Sequence, residues 1–239
     1  MWLFGNLVIR VPRLECSNKQ IPNSTNKHQK VVLYILRHGQ TELNRLSIVQ
    51  GSGVDAELNE MGYAQAKAFY EAHKHVDFEL VITSKLRRTH QTVQRFLDKR
   101  IPWEQTADLN EISWGIHEGK HQSPAQNERY HKMIAEWKSG NLDAAIEEGE
   151  SARQLLARID RFISWVKTRP ERRILVATHG RAIRCLITRL KGLPPTSMED
   201  MEHSNTGLYT AHLQEDGTWL FELENDTSHL DSDIGKLGY

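Results

Sequence analysis

Three short stretches hold the residue types that could do chemistry: Arg37-His38-Gly39, Ser84-Lys85-Leu86-Arg87-Arg88 and Thr178-His179-Gly180. Imidazole changes charge near neutral pH and can serve as nucleophile, acid or base. Guanidinium is a permanent cation whose forked donors match phosphate and carboxylate oxygens. A glycine after each histidine lets backbone amides approach a ligand with no Cβ in the way. Singly these are weak signals. A histidine after a strand is usually structural, and an arginine pair at a helix start usually faces solvent. Together they describe an anion pocket containing two imidazoles.

Each stretch follows an apolar run. Val31 to Leu36 is unbroken and rich in β-branched residues, Phe78 to Thr83 reads FELVIT, and Arg173 to Thr178 reads RILVAT. Such runs suit parallel strands buried on both faces. Helical patterns separate them over Leu58–His73, Leu86–Leu97, Ser151–Thr168 and Arg181–Leu190, and Pro170 and Gly192 stand where helices stop. Trp103–Ala107 reads as a short strand, and Gly207–Leu213 with Thr218–Leu223 as a hairpin. Residues 120–148 are polar, with helical hints around Tyr130, Ile134 and Trp137 and no strand. The pattern predicts an α/β fold, a three-layer α/β/α sandwich with a mainly parallel central sheet and a small helical insertion lobe at 120–148. Ligands in such folds bind beyond the carboxyl ends of the strands, where the three stretches lie. Helices that start there add amides and dipoles that favour phosphate.

The chain has 239 residues, enough to bury a core without disulfides. Its 31 Lys+Arg balance 31 Asp+Glu, so no global field draws it to nucleic acid or to an anionic membrane, and neither is expected as a partner. Cys16 and Cys185 match no metal spacing, and Cys185 falls in an apolar helical pattern as a core residue. Residues 1–29 read as a flexible N-terminal appendage. Their first apolar run lacks a preceding basic residue, is interrupted by Arg10 and is too short to span a bilayer. The main domain is expected over 30–226, a C-terminal tail over 227–239, and the location is read as cytoplasmic. No P-loop, dinucleotide fingerprint or G-x-S-x-G elbow is present, and His73 and His75 are poorly spaced for a metal on a helix.

The motifs taken in order resemble the histidine phosphatase superfamily, also called the phosphoglycerate mutase-like family, over residues 31 to 225. R-H-G-(E/Q)-T-x-x-N is matched by RHGQTELN, S-x-L-x-R-(A/T)-x-x-T by SKLRRTHQT, and L-x-E-I-x-x-G-x-x-E-G by LNEISWGIHEG. A G-E-S helix entry is matched at Gly149-Glu150-Ser151 and T-H-G at Thr178-His179-Gly180. The resemblance implies that His38 is the nucleophile that becomes phosphohistidine, and that Arg37, Arg88 and His179 bind the phosphoryl oxygens. It implies Glu111 as proton donor, Asn44, Gln50, Gly51 and the amide of Gly180 as substrate-binding groups, and no metal or cofactor. Arg88, not Arg87, is the pocket arginine by this register, and Glu118 takes a structural acidic position. Phosphoryl transfer is mostly positioning and charge stabilisation, which suits these residue types.

Departures fall on the pocket walls. QGSGVDAELNEMG has one residue more before Asp55 than the family's usual pattern, with Glu57 for Pro and Asn59 for Thr. Val49 stands where arginine or an apolar residue is common, and His117 replaces a frequent Trp. The segment His203–Thr206 either reaches the pocket mouth or forms a turn capped by Ser204 and Asn205. The expected activity is metal-independent hydrolysis of a small phosphorylated metabolite. A mutase of the same family is the alternative, and a non-catalytic phospho-ligand module the remote one. The short insertion, with Asp143, Glu147 and Glu148, and the GES entry point to the phosphatase branch.

Overall fold

The computed structural model describes residues 31–230, so the appendage expected over 1–29 and most of the expected tail lie outside the described residues. A six-stranded sheet runs in the order β3-β2-β4-β1-β5-β6. Its strands are β1 (Val32–Arg37), β2 (Leu80–Thr83), β3 (Trp103–Gln105), β4 (Arg173–Thr178), β5 (Leu208–Leu213) and β6 (Trp219–Asp226). The first four are mutually parallel, while β5 and β6 are added antiparallel at the β1 edge.

Period-two alternation divides the strand side chains between two cores. Leu33, Ile35, Leu80, Ile82, Ile174 and Val176 face α5 (Ala152–Val166) and α6 (Gly180–Leu190) in one cluster. Leu36, Val81, Leu175 and Ala177 face α2 (Glu60–His73) and α3 (Arg87–Leu97) in the other, against Phe69, Val93 and Phe96. Both faces of the sheet are therefore covered, the expected three layers.

Side-chain caps start some of the helices, though not α3 or α6. Asn59 caps α2 by accepting from Gly62 N at 2.9 Å, and Ser151 with Gln154 forms a reciprocal box at α5. The pattern had started α2 at Leu58, but that residue bridges to Thr41 and stays extended. The insertion contains one helix, α4 (Pro124–Lys138), started by Ser123 and Gln126 with Pro124 in the first turn. It is no detached lobe, because Met133, Trp137 and Ile146 enter the main core. Strand β6 runs three residues past the predicted Leu223. Its last residues are polar because an edge strand faces solvent, so apolar pattern stops before the backbone pairing does. Beyond it His229 packs on Phe69 and bonds Thr206 Oγ1 at 3.1 Å, so the start of the expected tail is fastened to the body.

Candidate active site

Register puts the chemistry on one rim. Arg37 pairs with Thr178, and Thr83 with Ala177, so β1, β2 and β4 end side by side. His38 N donates to Thr178 O at 3.0 Å and Ser84 N to Ala177 O at 3.3 Å. The His38 and His179 rings lie 5.2 Å apart, centre to centre, tilted by 58°. The loop after β1 is clamped on every side. Gly39 N donates to Thr92 Oγ1 at 2.9 Å, Asn205 Nδ2 to His38 O at 2.8 Å, and Thr206 N to Arg37 O at 3.0 Å. Gly39 must lack a side chain, since a Cβ there would sit 2.7 Å from Gly62 O.

The hydrogen bonds assign the tautomers. His38 Nδ1 donates to Gly39 O at 2.7 Å, which leaves the Nε2 lone pair available. Burial, then the charges of Arg88 and Arg37, hold the His38 imidazolium form well below the ordinary range, so the ring is neutral at pH 7. Arg88 Nε donates to His179 Nδ1 at 3.1 Å, so the proton of that ring is on Nε2 and goes to Ser84 Oγ at 2.7 Å. Ser84 Oγ also accepts from Leu86 N, so its own proton passes to Thr89 Oγ1, which donates to Leu86 O. Burial and the Arg88 charge likewise keep His179 neutral.

Arg88 is fully buried and donates to Val54 O at 2.7 Å and Gly51 O at 3.3 Å. Burial lowers its pKa to about 10. Arg37 donates to His203 O at 2.8 Å, while its enclosed Nε has no partner. Neither makes an ion pair with a described carboxylate. The contrast with neighbouring arginines is sharp: Arg87 pairs outward with Asp55 and Glu57, Arg158 with Glu150 and Arg181 with Glu199. The expected register, Arg88 inward and Arg87 away, is the one observed. Cations removed from water without a counter-charge are costly, and a bound anion removes that cost.

Glu111 reaches the same rim from the loop after β3. Its carboxylate accepts from Ile112 N at 2.9 Å and, at the start of α6, from Arg181 N at 3.0 Å and Ala182 N at 3.1 Å. Asn44 spends its Oδ1 on Thr41 N and Oγ1 at the cap of α1 (Glu42–Arg45), and Gln50 Nε2 donates to the same Thr41 Oγ1 at 2.7 Å. Gly51 supplies the carbonyl that holds Arg88, and a Cβ on it would lie 1.9 Å from Glu118 Oε1. Glu118 itself accepts from Gly53 N and Trp114 N, the structural role expected for it. Gly180 opens α6 with the His203 ring against it, where an added Cβ would be 3.1 Å from Cδ2.

The structure thus gathers Arg37, His38, His179 and Gly180 at the strand ends and Arg88 at the start of α3, with Glu111, Gln50 and Gly51 on the loops around them, while Asn44 lies in α1 with its Oδ1 committed to the cap. It adds Ser84, Thr92 and Asn205, to which the sequence reading gave no place in the site. Ser84 stood first in a quoted motif, which was the available signal; Thr92 closed the same motif. Of the two roles weighed for 203–206, a turn does form, with Gly207 N on Ser204 O, but it is not capped as expected: Asn205 Nδ2 goes to His38 O and Ser204 Oγ accepts from Asn225, while His203 borders Arg37. Burial and the Arg37 charge push the His203 pKa down to about 2.

Among the described residues no helix is long and apolar enough to cross a membrane, and no three His, Cys, Asp or Glu side chains are grouped to hold a metal ion. Residues 33–227 match the family model described as histidine phosphatase superfamily (branch 1). A Shigella dysenteriae protein named "Probable phosphoglycerate mutase GpmB" is 28% identical over 209 residues, covering 84% of this chain and 95% of that protein. The alpha-ribazole phosphatase of Shigella flexneri superposes with a TM-score of 0.72 at 25% identity, covering 82% of this chain and 96% of that one. A mycobacterial glucosyl-3-phosphoglycerate phosphatase in complex with VO3 gives 0.71 at 25% identity, covering 82% and 100%.

Proposed function

The chain belongs to the histidine phosphatase superfamily, and from that premise we propose that it is a metal-independent phosphomonoester hydrolase acting on a small phosphorylated metabolite through a phosphohistidine. The observation that carries this reading is the pair Arg37 and Arg88: guanidiniums with no carboxylate partner among the described residues, flanking an imidazole whose Nε2 lone pair is available. A phosphate dianion supplies the missing charge, and the neutral imidazole supplies the nucleophile.

The steps balance with these residues alone. Glu111 is a carboxylate in the unliganded protein and takes up one proton with the incoming ester; His38 Nε2 then attacks phosphorus as the ester P–O bond breaks, and the leaving oxygen takes that proton from Glu111. Water then attacks phosphorus and gives a proton to the Glu111 carboxylate, the N–P bond breaks, and phosphate leaves. Arg37 and Arg88 neutralise the equatorial oxygens throughout. In the unliganded protein both nitrogens of His179 are committed, to Arg88 and Ser84. Its Nδ1 carries no proton in that state, so it donates to a phosphoryl oxygen only when Arg88 has moved to the phosphate and that nitrogen has taken up a proton beside the dianion.

Hydrolysis rather than mutase transfer is supported by the wall beside the site. A mutase acting on a phosphorylated sugar acid must pair its carboxylate, yet Val49, Gln50, Trp114, His117, Gln122 and Tyr130 include no lysine or arginine, and the cations behind them are Arg129 and Lys120, which act on His117, and Arg181, which is paired with Glu199. Segment 120–148 carries four Lys/Arg against five Asp/Glu. The mutase reading is favoured by the names of relatives such as the Shigella dysenteriae protein. Phosphorus NMR with 3-phosphoglycerate separates them: a hydrolase releases inorganic phosphate, whereas a mutase builds 2-phosphoglycerate.

The direct test is turnover of para-nitrophenyl phosphate in EDTA, with acid quench to trap the adduct. Wild type gives an acid-labile phosphoenzyme and His38→Ala gives none, with kcat down on the order of 10⁴-fold or more. An adduct that persists in His38→Ala removes the nucleophile assignment. Absence of turnover in wild type would leave a binding module.

A further inference from the structure

The loop that carries Arg37 and His38 is gripped by the turn 204–207, which is closed by Gly207 N donating to Ser204 O at 3.0 Å. Consecutive residues of the turn hold consecutive residues of the loop. Thr206 N donates to Arg37 O at 3.0 Å, and Asn205 Nδ2 donates to His38 O at 2.8 Å. Arg37 in turn donates to His203 O, one residue before the turn. The β1–β5 ladder ends at Leu36 and Leu208, so beyond it this turn takes over from the sheet. Displacing the turn therefore moves the nucleophile and a phosphate-binding guanidinium together.

The third residue of the turn is an unusual choice for its conformation. Thr206 has φ +55° and is fully buried. A left-handed backbone at this turn position normally falls to Gly or Asn, and a β-branched residue there is strained. Such strain persists only where the surroundings over-determine it, and it collects at functional sites. Two contacts from the carboxyl-terminal end of the described chain do this. Asn225 Oδ1 accepts from Ser204 N at 2.9 Å, which fastens the first residue of the turn. His229 Nε2 and Thr206 Oγ1 are hydrogen-bonded at 3.1 Å, which fastens the third. That hydroxyl has no other partner among the described residues, so the bond explains why threonine stands where glycine fits more easily: glycine has nothing to anchor. The His229 ring is itself held, edge-to-face on Phe69 with centroids 5.4 Å apart, in a segment closed by Ser228 Oγ on Asp226 Oδ2 and Leu230 N on Thr227 O.

We propose that His229 is a positioning residue for the reaction: through Thr206 it holds the turn that sets Arg37 and His38 at the phosphate rim. The inference rests on the phosphatase reading and goes beyond it, since His229 lies in the segment that the sequence pattern assigns to a tail. Its effect passes through one side-chain bond, to Thr206 Oγ1, and then through the two bonds by which the turn holds the nucleophile loop. Attack on phosphorus is sensitive to such placement, a shift of about 1 Å costing roughly 10²-fold. The competing account is that the ring only packs on Phe69. The two accounts require different things of residue 229: a hydrogen-bonding atom where Nε2 lies, or a flat ring.

The test crosses these requirements. His229→Gln keeps an amide at the reach of Nε2 and loses the ring, whereas His229→Phe keeps the ring and loses the bond. With para-nitrophenyl phosphate, His229→Phe is expected to lower kcat by about tenfold to a hundredfold with KM within about threefold of wild type, while His229→Gln stays within about threefold in both. Thr206→Val keeps the branched shape without the hydroxyl. It is expected to match His229→Phe, and the double variant to be no worse than either, as for two residues acting through one contact. Thr206→Val carries the comparison with His229→Gln if His229→Phe fails to fold. Wild-type kcat in His229→Phe, or a His229→Gln protein as impaired as His229→Phe, overturns the proposal. Amide hydrogen exchange gives an answer that needs no turnover: measured against the core amide of Leu175, the Thr206 amide exchanges about tenfold or more faster in His229→Phe than in His229→Gln. That difference in a protein without wild-type turnover sinks the phosphatase reading alone, and equal exchange in a protein that does turn over sinks the role of His229 alone.

Discussion

Replacing Glu111 by Gln separates two things this carboxylate does at once. It is placed as the proton-transfer group, and it also closes the start of α6. One oxygen accepts from Ile112 N and Ala182 N, the other from Arg181 N. An amide can keep the first oxygen but must then turn its NH₂ toward a backbone N–H, donor against donor. A buried donor left unsatisfied costs about 1–3 kcal/mol. The negative charge at a helix N-terminus contributes about 0.3–1 kcal/mol at the surface and up to about 2 when partly buried. Together the expected loss is about 2–4 kcal/mol, roughly 5–15 °C in Tm for a domain of this size. Urea denaturation at pH 7, fitted with a common slope, measures it. Loss of general acid–base catalysis lowers kcat by about 10²–10⁴ in the same protein. Glu111→Asp keeps the charge and is expected to recover part of the stability with little of the rate. A Glu111→Gln protein within about 0.5 kcal/mol of wild type would refute the three-donor geometry.

Two further perturbations follow from the hydrogen bonds and charges. His38, His179 and His203 all have folded pKa values depressed by burial, so the unfolded chain takes up protons near pH 6.5 while the folded one does not. Stability is therefore full above pH 6.5 and falls as the pH drops below it, with a slope of up to about 1.4 kcal/mol per pH unit for each imidazole; a urea midpoint unchanged between pH 7 and pH 5 would contradict this. Ser84→Ala removes the acceptor for His179 Nε2 and the bridge to Leu86 N. It is expected to lower kcat/KM about tenfold or more while circular dichroism stays native, and an unchanged kcat/KM would show that the tautomer of His179 does not matter.

The legible parts of this molecule were those where chemistry and local pattern coincide. Val31 to Leu36 had to be a strand buried on two faces, because no amphipathic element tolerates an unbroken apolar run, and the motif after it was specific. Arg87 and Arg88 could be told apart only by motif register; physically the difference is that Asp55 and Glu57 wait outside for one and three neutral acceptors inside for the other. Ser84, Thr92 and Asn205 could be seen only as members of a motif or a segment, not through what they bond. Their work is to bond backbone and ring atoms of other elements, at sequence separations of 95, 53 and 167. Periodicity reports which face of an element is apolar, not which carbonyl lies opposite a hydroxyl. The bond between His229 and Thr206 was equally hidden, since nothing local relates a residue past the last strand to a turn before the hairpin.

A chain with 31 cations and 31 anions can still concentrate positive potential where it is needed, by pairing nearly everything around that place. Arg87, Arg158, Arg181 and Arg184 surround the rim and each has a carboxylate partner, so their fields are largely local. Arg37 and Arg88 are set instead against carbonyl oxygens and a neutral imidazole, which satisfy guanidinium donors without cancelling its charge. Enclosure in the protein then makes that uncancelled charge act over a short range at low effective dielectric. The arrangement is unfavourable for the empty protein and favourable once a dianion is bound. Burial keeps His38 unprotonated and the same two charges reinforce it, so that one pair of arginines both recruits the phosphoryl group and helps leave its nucleophile ready to attack.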